Sequence, residues 1–107
     1  MSNSTATPDT SIAQETCKQM GGTRRLMAMV GGKNFLSDGA AFSFRFTGQN
    51  KIKANYLKVT LNSLDTYDME FGRVHGDSYK IMATLNNVYG DQLKAIFEEK
   101  TGLYLSL

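Results

Sequence analysis

Residues 57–85 read LKVTLNSLDTYDMEFGRVHGDSYKIMATL and contain three runs of alternating apolar and polar side chains. Leu57, Val59 and Leu61 alternate with Lys58 and Thr60. Tyr67, Met69 and Phe71 alternate with Asp68 and Glu70. Tyr79, Ile81, Ala83 and Leu85 alternate with Lys80, Met82 and Thr84. Successive side chains on a strand point to opposite faces, so each run reads as a strand with one buried face. The separators Asn62-Ser63 and His75-Gly76-Asp77 are turn formers. Parallel neighbours need a crossover of about a dozen residues or more, so these short separators imply an antiparallel meander. The alternation also suggests a register. Leu57 pairs with Phe71, Val59 with Met69 and Leu61 with Tyr67; Phe71 then pairs with Tyr79 and Met69 with Ile81. On the outer face this sets Lys58, Glu70 and Lys80 in one ladder of opposite charges.

Working outward, Phe42, Phe44 and Phe46 alternate with Ser43 and Arg45 and precede the turn Gly48-Gln49-Asn50. Residues 24–30 read as the first strand, with Leu26, Ala28 and Val30 on one face and Met27 and Met29 on the other. Gly31-Gly32 and Asp38-Gly39 bracket an irregular stretch with Phe35 and Leu36. A helix begins at Ser11, with Gln14 at the capping-box spacing. Ile12, Thr16 and Met20 form its apolar face beside Ala13 and Cys17, and Gly21-Gly22 end it. A second helix spans about 88–100, with Asn87 as N-cap. Tyr89, Leu93, Ile96 and Phe97 lie on its buried face, Gly102 closes it, and Leu103 folds back toward Phe97. The predicted fold is α+β: a five-strand antiparallel meander flanked by an N-terminal and a C-terminal helix (α-β-β-β-β-β-α). Residues 1–10, MSNSTATPDT, are too polar to offset the entropy of ordering and read as a disordered tail. Residues 11–107 read as one domain.

The chain has 107 residues, a length that supports one modest core. One cysteine excludes an internal disulfide framework, and one histidine excludes the usual multi-histidine metal sites. No apolar run approaches the ~20 residues that span a bilayer, and no secretory h-region is visible. The expectation is a cytoplasmic protein without a membrane partner.

Net charge is only +2, but it is segregated. Residues 18–58 carry eight basic side chains against Asp38 alone, whereas residues 59–107 carry seven acidic and four basic ones. Segregated positive charge points to a polyanionic partner. Lys51 and Lys53 lie in the loop before a strand, and Arg45, Tyr56 and Lys58 project from the outer face of two neighbouring strands. A basic sheet face with a tyrosine is suited to hold a phosphate backbone and stack a base. Arg45, Lys51, Lys53, Tyr56 and Lys58 are therefore the candidate contacts to DNA or RNA.

Other constellations carry less. Asp65, Asp68 and Glu70 form an acidic cluster, and oxygen ligands on a strand suit Mg²⁺. No lysine completes a nuclease-type motif after Glu70, and the ladder with Lys58 already accounts for that residue. His75 beside Asp77 has the composition of a base and its orienter, but a lone histidine in a hairpin turn reads first as a solvated turn residue. Cys17, on an apolar helix face, reads as a small buried hydrophobe. Gly31-Gly32-Lys33 lacks the spacing of a phosphate loop. No catalytic residue, metal or cofactor is assigned.

Several motifs in order resemble a family. Gly21-Gly22, Gly31-Gly32-Lys33-Asn34-Phe35, Val59-Thr60-Leu61-Asn62, 64–71 (LDTYDMEF), 88–93 (VYGDQL) and 101–104 (TGLY) are similar to small uncharacterised proteins encoded in bacteriophage and prophage genomes. The match covers about residues 12–107. Gly90 departs from it, since alanine is common before Asp91 in that family. The family transfers no catalytic residue. It implies an accessory protein acting inside an infected bacterium. The leading expectation is thus a non-enzymatic nucleic-acid-binding module. One alternative is a protein-binding inhibitor of a host defence or replication enzyme, and the other is a small metal-dependent nuclease or hydrolase using Asp68 and Glu70. Tyr104, Leu105 and Leu107 end the chain as a short apolar tail, which allows either a monomer or a homodimer.

Overall fold

The computed structural model describes residues 11–103. The tail at 1–10 and the apolar residues Tyr104, Leu105 and Leu107 lie outside them. The fold is α+β. Helices α1 (Ser11–Gln19) and α2 (Thr23–Val30) precede five strands: β1 (Lys33–Asp38), β2 (Ala41–Arg45), β3 (Tyr56–Leu61), β4 (Tyr67–His75) and β5 (Ser78–Val88). A single 3-10 turn (Gly90–Gln92) leads into α3 (Leu93–Thr101). The strands form one antiparallel sheet in the order β1-β2-β3-β4-β5, a meander in which each strand pairs with its sequence neighbours.

One face of the sheet carries the core. Phe42, Phe44, Leu57, Val59, Met69 and Phe71 point inward and meet Met20 just after α1, Leu26 and Val30 of α2, and Leu93 and Phe97 of α3. Phe97 is the hub, with ring centroids 6.3 Å from Phe44, 5.2 Å from Phe46 and 6.1 Å from Phe71. Such aromatic pairs add roughly 0.5–1.5 kcal/mol each beyond the burial of their area. The opposite, outer face is covered by none of the described helices, whose core residues all pack on the inner one.

Four expectations are corrected. Residues 24–30 form α2 rather than a strand. Leu26, Met29 and Val30 fall at i, i+3 and i+4, and an apolar run of both parities satisfies a helix as readily as a doubly covered strand. The Gly32 N–H donates to Leu26 O at 3.0 Å and Gly31 takes φ 64, which closes the helix as a left-handed cap. The place of that strand is taken by β1, in the stretch read as irregular. A register shift between Lys33 and Leu36, with Asn34 at φ 55, breaks its alternation. Phe35 still reaches the inner face, stacked with Phe42 and Phe44 at 6.2 and 5.7 Å.

The third correction is the end of β5. The strand continues to Val88, and α3 begins only at Leu93. Asn87 is not an N-cap. It sits at φ 60 and accepts from Asn62 Nδ2 at 3.1 Å and Thr66 Oγ1 at 3.1 Å, tying the β3–β4 turn to β5. Tyr89 is exposed, and Gly90 opens the 3-10 turn instead of weakening a helix interior. Gly102 does close α3, at φ 82, its N–H donating to Glu98 O at 2.8 Å.

The fourth correction concerns the β4–β5 register. The β3–β4 pairs are as expected: Leu57 with Phe71, Val59 with Met69 and Leu61 with Tyr67. Beyond them, Phe71 pairs with Ala83 and Met69 with Leu85, not with Tyr79 and Ile81. A bulge follows, because Gly72 pairs with Ile81 and leaves Met82 as the extra residue. One extra residue inverts the facing of the strand beyond it. Tyr79 and Ile81 consequently turn to the outer face, and Lys80 pairs with Arg73 rather than joining Glu70.

Candidate nucleic-acid interface

The loop between β2 and β3 is built by two asparagines. Asn50 Nδ2 donates to Gly48 O at 3.0 Å and Ala54 O at 2.7 Å, and its Oδ1 accepts from Ala54 N–H at 3.0 Å. Asn55 acts as an extra rung of the sheet: Nδ2 donates to Val74 O at 2.9 Å, and Oδ1 accepts from Val74 N–H at 2.7 Å. These bonds hold open a groove of about 840 Å³ where β2 and β3 part. Lys33, Arg45, Lys53 and Arg73 line it, and among the described residues no carboxylate does.

Each cation arrives from a different element. Lys33 opens β1 and pairs with Arg45 at the end of β2. Lys53 lies in the loop at φ 58, a left-handed conformation unusual for a lysine. Its carbonyl accepts from Arg73 Nη1 at 3.2 Å, which ties β4 to the loop. Arg45 Nε is buried and has no hydrogen-bond partner among the described residues. A buried donor without an acceptor costs roughly 1–3 kcal/mol. An oxyanion in the groove would relieve the mutual repulsion of the four cations.

The structure divides the five residues chosen from sequence. Arg45 and Lys53 share the groove. Tyr56 stands directly across from Arg45 on β3 and so on the same outer face. Lys58 lies further along that face, opposite Glu70, in a small hollow with Asp68. Lys51 goes elsewhere. Its Nζ donates to Glu99 O at 3.3 Å and its N–H to Thr101 O at 2.9 Å, so it caps the C-terminal end of α3, where a cation complements the helix dipole. Lys33 and Arg73 belong to the groove and were not singled out for it. At Lys33 the sequence shows only a Gly-Gly-Lys stretch without phosphate-loop spacing, and Arg73 lies past the alternating run that ends at Phe71.

Tyr79 joins this face through the bulge. Its ring meets Tyr56 edge to face, centroids 5.6 Å apart at 87°, and its hydroxyl donates to Glu70 Oε2 at 2.6 Å. A Cβ on Gly72 would lie 2.3 Å from the Tyr79 hydroxyl oxygen, so the glycine is what lets the ring cross the sheet there. Burial raises the Tyr79 phenol above its ordinary range, and the Glu70 carboxylate raises it further.

The remaining candidates have structural partners. Asp68 Oδ1 accepts from Asn62 Nδ2 at 3.0 Å and Asn87 N–H at 3.2 Å, while Asp65 sits at φ 61 in the turn. Among the described residues no three His, Cys, Asp or Glu side chains gather to hold a metal. His75 is exposed beside the β4–β5 turn. Cys17 is buried, and burial raises its thiol, with a smaller opposing effect from Thr23 Oγ1 at 3.8 Å. No described helix is long and apolar enough to cross a membrane. No protein-family model, curated protein or solved structure matches the chain.

Proposed function

We propose that this protein is a non-enzymatic module that binds nucleic acid through the phosphate backbone, in the groove lined by Lys33, Arg45, Lys53 and Arg73. One observation carries the reading: four cations from four elements line a single groove to which the described residues bring no carboxylate. Phosphate contacts of this kind are sequence-tolerant and depend on salt, because neutralised phosphates release counterions. Asp68 and Glu70 are engaged in bonds that hold the sheet and its tyrosine, which favours a binding role over a catalytic one.

The test is fluorescence anisotropy of labelled DNA and RNA oligonucleotides across a salt series. If all four cations meet phosphates, log affinity falls against log salt with a slope of about −3. The Lys53→Glu/Arg73→Glu double variant loses at least ten-fold in affinity and flattens that slope. Lys53→Gly removes one charge where glycine adopts the backbone without strain. Binding that ignores both salt and these variants would overturn the proposal.

A further inference from the structure

Taking the groove as the phosphate site, we infer that its ligand is single-stranded, with a base stacked on the Tyr79–Tyr56 pair. The sheet register sets the distances. Lys33, Arg45, Tyr56 and Gly72 form one row across β1 to β4 on the outer face. Adjacent strands lie about 4.8 Å apart, so Tyr56 is one strand from Arg45 and the Tyr79 ring over Gly72 is two. A basic edge and an aromatic patch thus lie side by side on a face that no described helix covers.

The patch is built as a platform. Tyr79 is 44% exposed while its hydroxyl is fixed by Glu70 and its ring by Tyr56. A ring held by Glu70, Tyr56 and the close approach to Gly72 loses little freedom when a base lies on it. Every base has a π-face, so such stacking tolerates any sequence. In a duplex those faces are already stacked on each other; an unpaired base has one to offer. Glu70 adds direction. Its negative charge beside the tyrosine repels phosphate, so the backbone runs on the Arg45 side and the base falls on the tyrosine side.

The experiment compares a labelled oligothymidylate of about a dozen nucleotides with a hairpin duplex of mixed sequence, at equal salt. The inference expects the single strand to bind at least ten-fold more tightly. Tyr79→Ala loses about 5- to 150-fold of single-strand affinity, in line with one stacked base, yet keeps the salt slope, because stacking releases no counterions. Tyr79→Phe, which retains the ring, stays within about three-fold. In the unaltered protein, the Tyr79 ring protons move upfield as oligothymidylate is added, a readout independent of any variant. Equal or tighter duplex binding, or unmoved Tyr79 protons in the complex, overturns the single-strand inference and leaves the phosphate groove standing. Absence of salt-sensitive binding to either probe overturns the groove, and the inference with it.

Discussion

The two faces of the sheet come from the same five strands, but one is closed and the other open. On the inner face Phe44, Leu57, Val59, Met69 and Phe71 are almost wholly excluded from water and locked by three helices. On the outer face Lys33 and Arg45 lie toward one end, Asp68 and Glu70 with Lys58 toward the other, and Tyr56 and Tyr79 between. The inner face needs only apolar volume of the right shape, which many residue types supply. The outer face is covered by none of the described helices, which leaves its side chains available for recognition. That division of labour is what a small domain with one core allows.

The contrast breaks most visibly at Phe97. Phe97→Ala removes the ring that joins α3 to Phe44, Phe46 and Phe71, and should cost about 3–5 kcal/mol, a large share of the roughly 5–15 kcal/mol that holds a domain together. Chemical denaturation measures it; a cost below about 1 kcal/mol would mean that the inner face does not dominate stability. Gly72→Ala is the largest change expected on the outer face. The new methyl displaces Tyr79 and breaks its bond to Glu70, at about 1–3 kcal/mol. Combining it with Tyr79→Ala should recover most of that loss, since the clashing partner is gone.

Alkaline pH sharpens the same comparison. The folded chain holds the Tyr79 phenol protonated above its ordinary range. The unfolded phenol ionises near pH 10, so below that pH the contribution is fully present. As pH rises past it the unfolded chain sheds a proton the fold retains, and stability falls. Tyr79→Phe should remove that part of the decline above about pH 10, seen in denaturation midpoints. Least affected is Lys58→Ala, an exposed outer-face change expected to stay within about 0.5 kcal/mol.

The inner face was legible in the sequence because alternation reports burial directly. The runs at 42–46, 57–61 and 67–71 produced strands, and the β3–β4 register followed. Legibility failed wherever one residue shifted phase. The bulge at Met82 sent Tyr79 and Ile81 to the opposite face, and the shift near Asn34 hid β1. Residues 24–30 were ambiguous because helix and doubly covered strand share an apolar run without a period. The groove was half legible. Charge segregation pointed to Arg45 and Lys53, but Arg73 lies some twenty residues along, in the acidic part of the chain, and only the hydrogen bond to Lys53 O brings it in. Lys51 shows the converse. Two residues from Lys53, it turns away to the end of α3.

The central claim is that the open face, and not the helical one, receives nucleic acid. Amide and side-chain NMR shifts of the unaltered protein, followed as oligothymidylate is titrated at low salt, test it residue by residue. The account predicts shifts confined to Lys33, Arg45, the 46–55 loop, Tyr56, Arg73 and Tyr79, with α1, α2 and α3 silent except where Lys51 meets the end of α3. Shifts centred on the exposed surfaces of α1 and α2, with the groove unmoved, would contradict it.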